Sequence, residues 1–280
     1  MMCRRAALAL LTAGLLAAAP TRAQEPARPG FYQDFRGSRR PQAPLVPFGP
    51  QAEQCSKPEE EGWRIRIPAQ QPKITTTGLQ LTTPVQGDFT ITVGYQILQA
   101  DRPQDRLPAG FELHLTTQTP TQEAIGLYRV AHRGEGDIYS CHRMTTGTDG
   151  KRRNNSIPIP AQSKSGSLRL IRAGAEVTFW ADEGTGEFQQ LARYTLGPED
   201  VTRVRFAAYA PPGDSAVDLR IVDVRITAAA MPLDPGAGTL DPRDRRRTGV
   251  MLVGLLGLLL LLFGAGLYVR HRRATRGSLS

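Results

Sequence analysis

Phe89, Ile91, Val93, Tyr95 and Ile97 alternate with Thr90, Thr92, Gly94 and Gln96, a period of two held over nine residues. Successive side chains of an extended strand point to opposite faces, so this stretch predicts a strand with one buried face. The same alternation recurs in Phe111, Leu113 and Leu115, in Leu168 and Leu170, in Val177 and Phe179, in Val204 and Phe206, and in Val217, Leu219 and Ile221. Turn signals separate these runs: Pro108-Ala109-Gly110, Gly134-Glu135-Gly136, Asp149-Gly150, Ala173-Gly174, Gly184-Thr185-Gly186 and Pro211-Pro212-Gly213-Asp214. About ten to twelve strands joined by short turns predict an all-β sandwich rather than a small barrel. In the last run the apolar set changes phase, from Val217, Leu219 and Ile221 to Val222, Val224 and Ile226. A one-residue slip exchanges the two faces, so a β-bulge is expected near Ile221–Val222.

The flanks have a different texture. Phe31 to Phe35 predicts a first strand, and the proline-rich stretch 40–58 reads as an irregular connection. Arg4 and Arg5, the apolar run Ala6–Ala19 and the small residues around Thr21-Arg22-Ala23 form the pattern of a secretory signal ending before Gln24. From Thr248 to Val269 there is no charge, and at about 1.5 Å per residue a helix of that length crosses a hydrocarbon core. The expected organisation is a signal at 1–23, a first strand and proline-rich lead-in at 24–61 and a sandwich at 62–229. A juxtamembrane stalk at 230–247, one transmembrane helix at 248–269 and a basic tail at 270–280 complete it. Arginines lie on both sides of the apolar run, Arg243 and Arg245–Arg247 before it and Arg270, Arg272, Arg273 and Arg276 after it, so the loop-charge rule does not orient it. The signal does, cleaved or retained: the expectation is a single-pass cell-membrane protein with the sandwich extracytoplasmic and the tail cytoplasmic.

That topology changes the meaning of the charge. The chain is formally +9, but three arginines belong to the signal and four to the tail. Without those seven, 28 basic residues face 26 acidic ones, so the sandwich is nearly neutral and nucleic acid is not an expected partner. The tail arginines suit anionic lipid headgroups. Cys55 and Cys141 are the cysteines left in the exported part, either a disulfide pair or two separate thiols. His114, His132 and His142 lack zinc-site spacing, and Cys141 and His142, being adjacent on a strand, face opposite ways.

The order of these features resembles concanavalin A-like lectin/glucanase sandwiches. It runs FYQDFRG, EGWRIRIPA, DFTITVGYQIL, GFELHL, GSLRLIRAGAEVTFWADEGTGEFQQL, then AVDLRIVDVRI. It also resembles a secreted or membrane-anchored planctomycete family of unknown function built on that fold. The resemblance implies a jelly-roll β-sandwich over roughly residues 30–228. Its glucanase branch implies paired carboxylates in a pattern resembling E-x-D-x-x-E, and here Glu135 and Asp137 fill the first two positions while Tyr139 and Ser140 stand where the last glutamate belongs. No catalytic residue is therefore assigned, and the chain is not expected to be an enzyme.

Three groups remain as candidate ligand contacts. Trp180 follows the inward Phe179, so it faces away from the core, to solvent or under a loop, where a sugar face would stack. Arg152 and Arg153, in the loop TDGKRRNNS, suit a phosphate- or sulfate-bearing ligand or simply belong to a solvated loop, the second being favoured. Asp182, Glu183 and Glu187 around Gly-Thr-Gly are calcium candidates or a solvated hairpin, the second being favoured, and no cofactor is otherwise expected. The expected function is a non-catalytic binding module whose partner is a glycan or another envelope protein. The alternatives are a glycan-active enzyme with displaced carboxylates and a structural envelope protein.

Overall fold

The computed structural model describes residues 30–104, 106–118, 123–147 and 149–232. The expected signal, transmembrane helix and tail lie outside the described residues, as does most of the stalk. The strands run β1 (Gly30–Asp34), β2 (Leu45–Phe48), β3 (Ser56–Glu59), β4 (Gly62–Ile67), β5 (Thr75–Leu81), β6 (Gln86–Ala100), β7 (Ala109–Thr117) and β8 (Ala124–His132). They continue with β9 (Gly136–Thr146), β10 (Arg152–Pro160), β11 (Ser165–Ala173), β12 (Glu176–Asp182), β13 (Gln189–Thr195), β14 (Val201–Ala210) and β15 (Val217–Ala230). One helical turn, α1 (Ala52–Cys55), interrupts them.

These strands form two antiparallel sheets. Sheet A has the order β13-β12-β11-β6-β15-β4-β3, with β1 also on β15, and sheet B has the order β10-β9-β8-β7-β14-β5-β2. The alternating residues read from the sequence fill the space between them. Phe89, Ile91, Val93, Tyr95 and Ile97 of β6 and Phe111, Leu113 and Leu115 of β7 are all buried in one cluster, with the Tyr95 and Phe111 rings stacked at 5.4 Å. Each such side chain contributes about 1.5–3 kcal/mol through burial.

The phase change in β15 is a bulge. Its register on β6 shifts between Ile221 and Asp223, leaving Val222 as the extra residue. The bulge is also where the far edge of β15 changes neighbour, from β4 along Val217–Ile221 to β1 along Asp223–Thr227. The displaced Val222 carbonyl accepts a hydrogen bond from Phe35 N at 2.9 Å.

The proline-rich stretch differs from expectation. It contains two short strands, β2 with Pro47 and β3 with Pro58, and each lies at the edge of its sheet with one neighbour. A strand bonded on one side loses nothing there by lacking an N–H, which is why proline is tolerated. Among the described residues β1, β2 and β3 are thus part of the two sheets, and the fifteen strands exceed the ten to twelve expected.

Cys55 and Cys141 are free thiols, so the pairing alternative does not hold. Cys141 points into the core from β9, opposite Leu127 and Ile157. Cys55 ends α1, which packs beside β2 and β5, at the other side of sheet B. At about 4.8 Å per strand the separation is roughly 19 Å, whereas a disulfide needs Cα atoms within about 7 Å.

Candidate functional site

The face of sheet B turned away from the core holds a cluster of polar and titratable side chains beside a cleft. Cross-strand register places Gln80, Arg205, His114, Gly126, His142 and Ser156 in one row over six strands. The next row runs Gly78, Ala207, Glu112, Tyr128, Ser140 and Pro158. Gly126 makes the centre work. A Cβ there would meet Tyr128 Cε1 at 2.5 Å, so only glycine lets the phenol ring fold down between the two histidines. The Tyr128 ring centroid lies 6.3 Å from His114 and 4.6 Å from His142.

Hydrogen bonds fix this cluster. The Tyr128 hydroxyl is 2.9 Å from His114 Nδ1 and also bonds the Glu112 carboxyl. With Glu112 ionised, the phenol donates to the carboxylate and accepts from His114 Nδ1–H, which leaves His114 Nε2 as an acceptor. His142 is held at both nitrogens, by Ser140 Oγ at 2.8 Å and Asn154 Oδ1 at 3.3 Å. An amide oxygen only accepts, so Nδ1 carries the proton and Nε2 takes the Ser140 hydroxyl. Arg205 donates to Gln80 Oε1 at 3.0 Å and lies over the Phe48 ring at 4.5 Å.

Burial sets the charges. It pushes the Glu112 carboxyl up to about 7, opposed by Arg205 and by the Tyr128 hydrogen bond. It pushes His114 down to about 4, reinforced by repulsion from Arg205, Arg152, His142 and Arg203. Burial likewise lowers His142 and raises Tyr128. At neutral pH the cluster thus carries two uncharged imidazoles and an intact phenol. Beside it opens a cleft of about 590 Å³ whose walls include His114, Thr116, Met144, Arg152 and Arg203.

The residues singled out from the sequence are distributed differently. Arg152 and Arg153 belong to strand β10 rather than to a loop, and they part company there. Arg152 faces the cleft; Arg153 is locked to Asp149 at 2.8 Å. Trp180 does face away from the core, as Phe179 required, but on sheet A, across the sandwich from Arg152. Its Nε1 donates to Thr178 Oγ1 at 2.9 Å, and its cross-strand neighbours are Arg169 and Gln190. One ligand does not reach both Trp180 and Arg152.

The acidic hairpin is built rather than merely wet. Asp182 is buried and its Oδ1 caps the turn, accepting from the amides of Thr185 and Gly186 at 2.9 Å each. Glu183 Oε1 accepts from Gln162 N at 2.8 Å, from Ser163 N at 3.4 Å and from the Tyr139 hydroxyl at 3.3 Å. Glu187 stays exposed. These carboxylates serve separate partners and do not converge, and no group of three or more His, Cys, Asp or Glu is arranged to hold a metal ion among the described residues. They do not fit calcium, which wants several oxygens around one centre.

The incomplete carboxylate pattern is structural too. Asp137 faces inward and binds Arg129, whose side chain is 1% exposed, at 3.1 Å. Arg129 Nε also donates to Ser163 O at 3.0 Å. Glu135 lies in the turn, 3.8 Å from His132. Glu112, His114, Tyr128 and His142 are the residues that sequence reasoning passed over. Their signal was the polar half of the alternation, Glu112 and His114 in GFELHL and Ser140 and His142 in YSCH. Strand neighbours that bring these halves together are not written in any one stretch.

A family model described as "Protein of unknown function (DUF1583) C domain" matches residues 14–238. No curated protein matches the chain. Among solved structures it is similar to a legume lectin-like domain from Entamoeba histolytica, at 10% identity and TM-score 0.50 over 71% of this chain and 97% of that one. It is similar to the exoplasmic/lumenal domain of VIP36 in a Ca2+/Man3GlcNAc-bound form, at 12% identity and TM-score 0.43 over 69% and 86%. A third is a provisionally assigned beta-glucanase from Mycobacterium abscessus, at 12% identity and TM-score 0.48 over 70% and 98%. The likeness to the Entamoeba histolytica domain shows the fold alone, a two-sheet concanavalin A-like sandwich, and leaves activity to the site.

Proposed function

This chain belongs to that family of unknown function, and we propose that its sandwich is a membrane-tethered, extracytoplasmic glycan-binding module whose site is the cleft on the outer face of sheet B. The observation that carries the reading is the cluster beside that cleft: Tyr128 laid over Gly126 between two uncharged, hydrogen-bonded histidines, of which His114 also lines the cleft. Sugars are bound by such a combination of aromatic surface and fixed donors and acceptors, with few polar groups each held in one orientation. The lectin-like domain that shares this fold makes glycans the first ligand class to test. Hydrolysis is not part of the reading. Glu112 is the one carboxylate projecting outward from the strands of this face among the described residues, and hydrolysis by a glucanase needs a pair. The tether and the side of the membrane rest on the apolar run 248–269 and the N-terminal signal pattern.

The test is retention of the purified full-length chain on a panel of immobilised polysaccharides, with and without calcium. His114→Gln and Arg203→Ala are run beside the parent chain. Saturable retention that is independent of calcium and weakened in both variants supports the reading. Retention unaffected by either variant places the site elsewhere.

A further inference from the structure

We infer that the occupant of the sheet B cleft is a repeating acidic glycan, one whose sugar units carry carboxylate or sulfate groups, gripped by Arg152 and Arg203. This rests on the proposed glycan-binding reading and names its ligand class. Both guanidiniums are exposed and line the cleft, and among the described residues neither has an ion pair or a side-chain hydrogen bond. Neighbouring arginines are treated otherwise: Arg153 is closed by Asp149, Arg205 is held by Gln80 and Phe48, and Arg143 is bound to Glu123 at 3.2 Å. The cleft therefore carries two fork-shaped donors without a partner among the described residues, and carboxylates and sulfates match that fork.

No acid on the face cancels them. Glu112 is the sole outward carboxylate of these strands among the described residues, it is buried, and its burial resists ionisation. The positive field is visible at His114, where Arg205, Arg152 and Arg203 all oppose a further positive charge. Arg152 on β10 and Arg203 on β14 are four strand positions apart. At about 4.8 Å per strand their backbones stand roughly 19 Å from each other. A single small anion engages one of them; a chain with charges on successive sugars engages both. His114 and Thr116 of β7 lie on a strand between them and line the cleft, where uncharged hydroxyls need partners.

The experiment holds the full-length chain in nanodiscs of zwitterionic lipid and titrates it with polygalacturonate, dextran sulfate and uncharged dextran at rising salt. Vesicles containing phosphatidylglycerol form a fourth arm. The expected result is binding of at least one polyanion about tenfold or more tighter than dextran, weakening steeply with salt. Polygalacturonate against dextran sulfate tells carboxylate from sulfate. The R152A/R203A double variant loses about tenfold or more of that affinity and most of its salt dependence, while R39A/R40A, exposed arginines on the β1–β2 loop, changes neither. Equal binding of dextran overturns the acidic ligand and leaves the glycan reading standing, whereas polyanion binding indifferent to Arg152 and Arg203 overturns their grip and places the site outside this cleft. Retention by vesicles with none by any polysaccharide overturns both.

Discussion

The ring of Tyr128 occupies the place where a side chain on Gly126 would begin. The rest of the cluster depends on that exchange, because the ring so placed brings its hydroxyl to His114 and its face to His142. Gly126→Ala should destabilise the fold by about 1–3 kcal/mol through overpacking. The shift in denaturant midpoint measures it. Tyr128→Phe keeps the ring and removes the hydroxyl shared by Glu112 and His114, so a loss of about 1–2 kcal/mol is expected there.

Glu112 and His114 should tilt the pH dependence of stability in opposite directions. Between about pH 4.5 and 7 native Glu112 keeps a proton that the unfolded chain releases, so its contribution falls as pH rises, by about 3 kcal/mol over the window. Between about pH 4 and 6.5 unfolded His114 holds a proton that the native state lacks, so its contribution rises with pH. Glu112→Gln should therefore make stability climb more steeply from about pH 4.5 to 6.5 than in the parent chain, and His114→Gln less steeply. Urea midpoints at the two ends of that range decide it. Identical slopes in all three proteins would mean that neither group titrates as its burial requires.

Asp137→Ala should be costly although Asp137 lies at the margin of the core. It leaves Arg129, sealed between the sheets, with a carbonyl at Ser163 and a long contact to Val130 O as its polar partners. Breaking a buried pair from one side costs about 3 kcal/mol or more. Arg129→Met with Asp137→Asn should recover much of that loss, since no buried charge then remains. Thermal melts of the single and double variants give the comparison.

Trp180→Ala is expected to leave glycan affinity at its parent value. Trp180 sits on the outer face of sheet A, with the thickness of the sandwich between it and Arg203. An affinity loss comparable to that of Arg203→Ala would relocate the binding surface to sheet A.

The two thiols should behave as strangers. Burial pushes the Cys141 thiol up to about 12, so it should resist alkylation until the chain unfolds. Cys55 is partly exposed, with its thiol raised less by burial, and should label first. Dithiothreitol should leave the melting temperature unchanged; a drop on reduction would require the bridge that the structure separates.

The alternation of Phe89 to Ile97 or of Val177 and Phe179 determined strands and their buried faces, because a period of two is a local property of extended chain. The phase slip at Ile221–Val222 determined a bulge for the same reason. Local pattern also carried Trp180 to the outside, since Phe179 had claimed the inside. What it left undecided was which strands are neighbours. The sequence places His114 and His142 twenty-eight residues apart, and only the pairing of β7, β8 and β9 sets them on either side of Gly126. Asp182 and Glu183 read as wet turn residues until the tertiary structure supplied the amides they bind. Prolines at 47 and 58 argued against strands until their positions at sheet edges were known. A strand's own face is written in its residues, but a site spread over six strands depends on register and neighbour order. Those are set by the closing of the whole core, which no single stretch of the chain contains.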